Sequence, residues 1–254
     1  GTTRGDGVGE MGDYLPFVNV EGTSGLTVTS FFSGQHHNCV IFDDGSMKCW
    51  GYNYSGQLGY GDTNTRGSSA NEMGDYLPFV DVGTGLSVLS GCGGVGFTCV
   101  VLDDYSLKCW GANSYGQLGL GDGNNRGDGS GEMGDYLAFV DVSGSIVSVS
   151  AGGYHNCVVL TDLSVRCWGQ NTYGQLGYGD ANDRGDGVGE MGSYLPAIDL
   201  GSNVLPSSIA ANRYHSCILS LEGKVKCWGS NDNGQLGYGD TTNRGDGAFE
   251  MGDY

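Results

Sequence analysis

The string "CWG" begins at Cys49, Cys109, Cys167 and Cys227, and "GQLG" begins at Gly56, Gly116, Gly174 and Gly234, so both recur at intervals of 60, 58 and 60 residues. "EMG" keeps the same beat, with its methionine at Met11, Met73, Met133, Met191 and Met251. A chain made of four copies of one unit must bury each copy against its neighbours, because a unit of this size lacks a core of its own.

Within a unit the apolar residues fall in short runs. In the first copy these are "LPFVNV" from Leu15, "LTVTSFF" from Leu26, "NCVIF" from Asn38 and "SMKCWG" from Ser46, separated by the turn compositions "EGTSG", "SGQHH" and "DDG". Short runs bounded by Gly, Ser and Asp read as strands. The expected fold is all-β: four tandem four-stranded antiparallel blades of β-propeller type, part of a closed propeller or of an open helical or fibrous array. The 50 glycines agree, since so many argue against long helices. Residues 1–14 read as a linker completing a preceding repeat, followed by repeats at 15–76, 77–136, 137–194 and 195–254. The same linker phase at both ends raises the expectation that the repeat continues in a longer chain.

The last hairpin of the unit can be set in register. With Cys39 opposite Cys49, "DDG" is a three-residue loop with Gly45 in the left-handed position. Ile41 and Met47 then share the cysteine face, and Val40, Phe42 and Trp50 take the other, so both faces are apolar and both need cover. Tyr105 and Leu163 stand at the Gly45 position in the second and third copies, which points to a different turn there. Directly opposed residues suit a disulfide. The expected pairs are Cys39 with Cys49, Cys99 with Cys109, Cys157 with Cys167, and Cys217 with Cys227. Four such bonds imply an oxidising compartment, and hence an extracellular or secreted protein. Cys92 is unpaired, and reads either as a small buried hydrophobe or as a link to another subunit.

From His37 to Asp62 the chain reads "HNCVIFDDGSMKCWGYNYSGQLGYGD", and "CWGANSYGQLGLGD", "CWGQNTYGQLGYGD" and "CWGSNDNGQLGYGD" repeat its second half. This pattern resembles the regulator of chromosome condensation repeat over nearly the whole chain. The resemblance implies β-propeller blades, usually seven to a ring. It also implies a range of functions: guanine nucleotide exchange with chromatin binding, protein inhibition, light sensing and secreted scaffolds. Light sensing would need clustered tryptophans, whereas Trp50, Trp110, Trp168 and Trp228 are one per blade.

Eleven Lys and Arg against 29 Asp and Glu give a formal charge of −18, a field that repels nucleic acid and anionic lipid. His37, His155 and His215 precede the first cysteine of their copies, but Phe97 holds that place in the second. A metal ring or catalytic base would lose a member there, which leaves a hydrogen bond as their expected role. No nucleophile motif or phosphate loop appears, so an enzyme is not expected. Asn53 opens the sequon "NYS" and is a candidate glycosylation site.

Arg and Glu recur six apart in every linker, as Arg4 and Glu10, Arg66 and Glu72, Arg126 and Glu132, Arg184 and Glu190, and Arg244 and Glu250. They read as a structural loop clasp. Calcium is the alternative, with Asp122, Asn124, Asp128 and Glu132 as ligands, although Arg126 sits where an oxygen is wanted. No cofactor is expected otherwise. The functional expectation is a non-enzymatic extracellular scaffold that self-associates into a fibre or surface appendage. A propeller binding module for a protein or glycan is the alternative, its site marked by the loops that differ between copies. A nucleotide-exchange propeller ranks behind both.

Overall fold

The computed structural model describes residue 7 and residues 9–253. Each repeat forms one antiparallel sheet. Blade 1 comprises β1 (Val28–Ser33), β2 (His37–Phe42) and β3 (Met47–Gly51); blade 2 comprises β4 (Val88–Gly93), β5 (Phe97–Leu102) and β6 (Leu107–Gly111). Blade 3 comprises β7 (Ile146–Ala151), β8 (His155–Leu160) and β9 (Val165–Gly169); blade 4 comprises β10 (Pro206–Ala211), β11 (His215–Ser220) and β12 (Val225–Gly229). The register matches the hairpin expectation, with Cys39 opposite Cys49 and Ile41 opposite Met47.

The sheets have three strands rather than the expected four. The "LPFV" segment makes a single ladder bond, and makes it to the preceding blade: Val80 N–H donates to the Met47 carbonyl at 2.9 Å, as Val140 does to Leu107 and Ile198 to Val165. It then turns onto the next blade, where the Val82 carbonyl accepts from Lys108 Nζ at 2.9 Å. One segment thus rivets two sheets instead of widening either. The same Lys108 Nζ donates to the Gly134 carbonyl at 2.8 Å, which pins the short 3-10 turn Gly134–Tyr136 to the blade. Lys48 repeats this on Val20 and Gly74, and Arg166 on Gly192. A buried ammonium is tolerable only with such partners.

Each blade has a trailing face, carrying the disulfide, and a leading face, carrying the tryptophan. The trailing face of blade 1 (Cys39, Ile41, Met47, Cys49) and the leading face of blade 2 (Val88, Val100, Leu102, Trp110) form one buried core. Blades 2 and 3, and blades 3 and 4, repeat that arrangement. The blades therefore stack in sequence order, and the four sheets do not close into a ring.

The hairpin turns correct one expectation. Tyr105 and Leu163 do not avoid the left-handed conformation; they adopt it, at φ 63° and 66°, where Gly45 and Gly223 have 78°. The packing on either side fixes the loop, and the same bond closes it in each copy: Tyr105 N–H to Leu102 O at 2.9 Å, Gly45 N–H to Phe42 O at 3.0 Å. Because the Tyr105 side chain is more than half exposed, replacing it loses little packing while relieving backbone strain. Tyr105→Gly should raise stability by about 1 kcal/mol, read as a higher urea midpoint at unchanged slope. A lower midpoint would show that the tyrosine contributes more than its backbone costs.

Candidate functional site

The linker loops are occupied by their own side chains, and arginine and glutamate each take different partners there. Arg66 binds Asp62, with Nη2 2.8 Å from Oδ2 and Nη1 3.0 Å from Oδ1, and Nη1 also donates to the Asn64 carbonyl at 2.7 Å. Asp62 is held below its ordinary pKa, first by that hydrogen bond. Arg126 with Asp122, Arg184 with Asp180, and Arg244 with Asp240 repeat the pair. The glutamates turn instead to backbone N–H groups: Glu72 Oε2 accepts from Ser68 and Ser69, Glu132 from Gly129, Glu190 from Gly187, Glu250 from Gly247 and Glu10 from Gly7. Arginine and glutamate thus brace the same loop separately, because the aspartate four residues upstream of the arginine meets the guanidinium first. Arg4 lies outside the described residues.

Two carboxylates named for the calcium alternative have partners within the chain. Asp122 is committed to Arg126 and to the N–H of Asn124, while Asp128 accepts from Asn125 Nδ2. Among the described residues no three His, Cys, Asp or Glu side chains converge on a metal position. Asn53 is corrected as a glycan site. It is fully buried, its Nδ2 donates to the Asp62 carbonyl and its Oδ1 accepts from Leu58 N–H, each at 2.8 Å. Asn113, Asn171 and Asn231 make the same two bonds, so this asparagine is a loop staple.

The histidines join blades. His37 Nε2 lies 2.8 Å from Thr98 Oγ1 of the next blade, and that hydroxyl donates to the Gln57 carbonyl at 2.8 Å. The hydroxyl has one proton, so Nε2 carries the ring proton and donates. His155 meets Ser216 and the Gln175 carbonyl in the same way. Where Phe97 replaces histidine, Asn156 of the next blade still reaches the Gln117 carbonyl at 2.7 Å, but its Oδ1 is buried without a partner. His215 faces outward from blade 4 and is half-buried, and His36 lies against Tyr52.

The four hairpin cysteine pairs are disulfides, and Cys92 is free. Cys92 stands opposite Cys99 across β4 and β5 and packs into the core between blades 2 and 3. Burial pushes its thiol up to about 12, so it rests as a neutral thiol. That is the setting of a small hydrophobe rather than of a link to another subunit.

One place open to a ligand is the end of the stack where the first turn of every blade and the loop after "CWG" come together. Gln35, Gly94, Val95, Gly153, Asn212 and Arg213 of four blades line a shallow depression of about 310 Å³. Backbone bonds hold it: Gln35 N–H to Gly94 O at 3.1 Å and Val95 N–H to Gly153 O at 2.9 Å. Beside it Tyr154 and Tyr214 stack with centroids 6.4 Å apart, Tyr115 meets Tyr154 at 5.4 Å, and Tyr173 meets Tyr214 at 5.1 Å. The Arg213 guanidinium lies 5.2 Å over the Tyr214 ring. Tyr115 and Tyr173 come from the variable loops that the sequence marks. Tyr154 and Tyr214 precede the histidine, a position that His36 and Gly96 hold in the first two copies, Arg213 lies one residue earlier, and no spacing rule singles them out.

A family model described as "Regulator of chromosome condensation (RCC1) repeat" matches residues 28–57, 146–175 and 207–235. The chain is 28% identical over 239 residues to the ultraviolet-B receptor UVR8 of Arabidopsis thaliana, covering 92% of this chain and 48% of the receptor. It is 31% identical over 229 residues to the probable E3 ubiquitin-protein ligase HERC4 of Homo sapiens, covering 89% of this chain and 20% of the ligase. It therefore spans at most about half the length of these relatives. Among solved structures, human WBSCR16 superposes with a TM-score of 0.62 at 22% identity, covering 85% of this chain and 51% of that one. Prp20p of Saccharomyces cerevisiae gives 0.61 at 20%, covering 84% and 46%.

The inter-blade histidines make the stack acid-sensitive. Burial lowers His37 from 6.5 to about 4 and His155 from 6.5 to about 3. The unfolded chain therefore binds protons that the fold refuses, so stability is complete above about pH 6.5 and is lost as the pH falls from there toward 4. The urea midpoint of the wild type should fall more steeply across that window than that of His37→Gln/His155→Gln. Parallel slopes would remove the histidines from the account.

Proposed function

Since the chain is built of regulator of chromosome condensation repeats, we propose that it is a non-enzymatic, extracellular interaction module that binds a protein ligand on its tyrosine-lined end. The observation that carries this reading is the patch of Tyr115, Tyr154, Tyr173 and Tyr214 with Arg213, beside a depression framed by rigid backbone. Tyrosine and arginine are the side chains that dominate binding energy at protein interfaces, since they bury a large rigid area and keep a polar tip. Their positions vary between copies while the blades beneath do not, which is how a repeat scaffold carries a specific site. Prp20p of Saccharomyces cerevisiae, whose structure shares this fold, binds Gsp1p and histones, which agrees with protein recognition by such blades. The charge of −18 favours a neutral or basic ligand through steering.

A phage-displayed peptide library panned on the wild type and counter-selected on Tyr154→Ala/Tyr214→Ala tests the site. Peptides that bind the wild type and weaken by about tenfold or more on the variant are expected. Failure to enrich any tyrosine-dependent sequence would remove the patch as a binding surface.

The extracellular placement rests on the disulfides, one fully inside each of the first three blades and one at the edge of the last. Alkylation in denaturant, before and after reduction, should reveal one free thiol and then eight more. Nine free thiols at the outset would move the protein to a reducing compartment.

A further inference from the structure

The tyrosine-lined end is built from one contact made twice. Where two blades meet, the tyrosine of the variable loop in one leans on the tyrosine that precedes the histidine in the next. Tyr115 meets Tyr154 with the ring planes inclined at 63°, and Tyr173 meets Tyr214 at 55°. Rings in contact at such angles leave a V-shaped notch between their open faces, and the stacking of Tyr154 on Tyr214 sets the two notches side by side. All four rings are half-buried, so the fold holds each one while part of its face stays open. Tyr115, Tyr154 and Tyr173 belong to blades 2 and 3, each of which has a blade on either side. Ser55 and Gly96 hold the equivalent positions between blades 1 and 2, where no notch forms.

The backbone beneath these rings is already spent. Gly94 N–H donates to Phe97 O at 3.0 Å and Gly152 N–H to His155 O at 2.8 Å, which closes the first turns. The Gly96 and Tyr154 carbonyls accept from Ala112 and Gln170 in the loops after "CWG", at 2.8 and 2.9 Å. A ligand strand would find no edge to pair with there, and its own N–H groups would be left without backbone acceptors. Side-chain donors remain. Asn212 turns its Oδ1 to the Arg213 N–H at 2.7 Å, which leaves its amide N–H groups to donate, and Gln35 and Arg213 line the same depression.

Notched aromatic faces ringed by donors suit a ligand rich in rings and carbonyls and poor in N–H groups. Proline has that chemistry: it lacks the backbone N–H, carries a compact apolar ring, and holds its neighbours in a preformed left-handed helix whose carbonyls face outward. We propose that the protein ligand engages this end through a proline-rich segment in the polyproline II conformation, with prolines seated in the Tyr115–Tyr154 and Tyr173–Tyr214 notches and carbonyls bonded by Asn212 and Gln35. This chemistry rests on the reading of that end as a protein-binding surface. Lysine or arginine beside the prolines adds attraction to a chain of charge −18.

Isothermal titration with an octaproline peptide ending in two arginines tests it, beside the same peptide with every proline replaced by alanine. The wild type should bind the proline peptide at least about tenfold more tightly than the alanine peptide. Tyr154→Ala/Tyr173→Ala, shown to be folded by a cooperative urea transition, should lose about tenfold in affinity for the proline peptide. Tyr136→Ala removes a tyrosine that is 83% exposed in a linker, and should bind as the wild type does. Equal affinity of the wild type for the two peptides, no binding of the proline peptide, or the same loss in Tyr136→Ala overturns the proposal. The phage selection separates this failure from that of the site itself: tyrosine-dependent peptides without proline remove only the proline-rich ligand, whereas an empty pool removes the binding surface as well.

Discussion

The carbonyl oxygen of the glutamine in "GQLG" faces two donors from the next blade at once, an indole N–H and a short side chain. In water it would have found two partners of any kind; in the core it has these or none, and an unmet carbonyl there costs about 1–3 kcal/mol. The position of the tryptophan follows from that bond. So does the spacing of neighbouring sheets, and with the spacing fixed, the first turns of four blades meet at one end and form the surface on which the tyrosines stand.

The disulfides belong to the same seam. Each closes a separation of only 10 residues, so its effect through chain entropy is modest, about 2–3 kcal/mol. Their sulfurs also fill the trailing face, where Cys39, Cys99, Cys157 and their partners pack against the leading face of the following blade. Covalent staple and core packing coincide in one group. On the opposite side of the sheet edge the buried lysines do comparable work with charge, fastening each linker by two carbonyls.

The blade period, the hairpin register and the disulfide pairs were legible in the sequence because each depends on local alternation and on residues that recur in phase. The fourth strand was not, since "LPFV" has strand composition but spends one bond on one sheet and its next carbonyl on another. That Arg66 clasps its loop was legible from its recurrence, whereas its partner Asp62 was not, because a tight turn brings that carboxylate to the guanidinium. Asn53 looked like a surface sequon for a similar reason: only the folded loop shows both ends of its amide in use. Tyr105 was expected to refuse a left-handed backbone, and the blades around it overrode that preference. The tyrosine-lined end was half visible, since Tyr115 and Tyr173 lie in loops that differ between copies, while Tyr154 and Tyr214 gain meaning only from neighbours some 60 residues away.

The first strands are graded in size, with Phe32, Cys92, Ser150 and Ala210 opposite the hairpin cysteines and Phe31, Gly91, Val149 and Ile209 beside them, and this bears on how such a chain can lengthen. Repeats of this kind grow by copying a whole unit in tandem, and a copy must then sit beside its own original. A doubled first unit would set Phe32 against Phe31, two rings in a space that holds one. A doubled third unit would set Ser150 against Val149, leaving a hollow where Ile209 now stands. The units look interchangeable in their "CWG" and "GQLG" strings, yet their inner strands number them, and only one order fills the space between them.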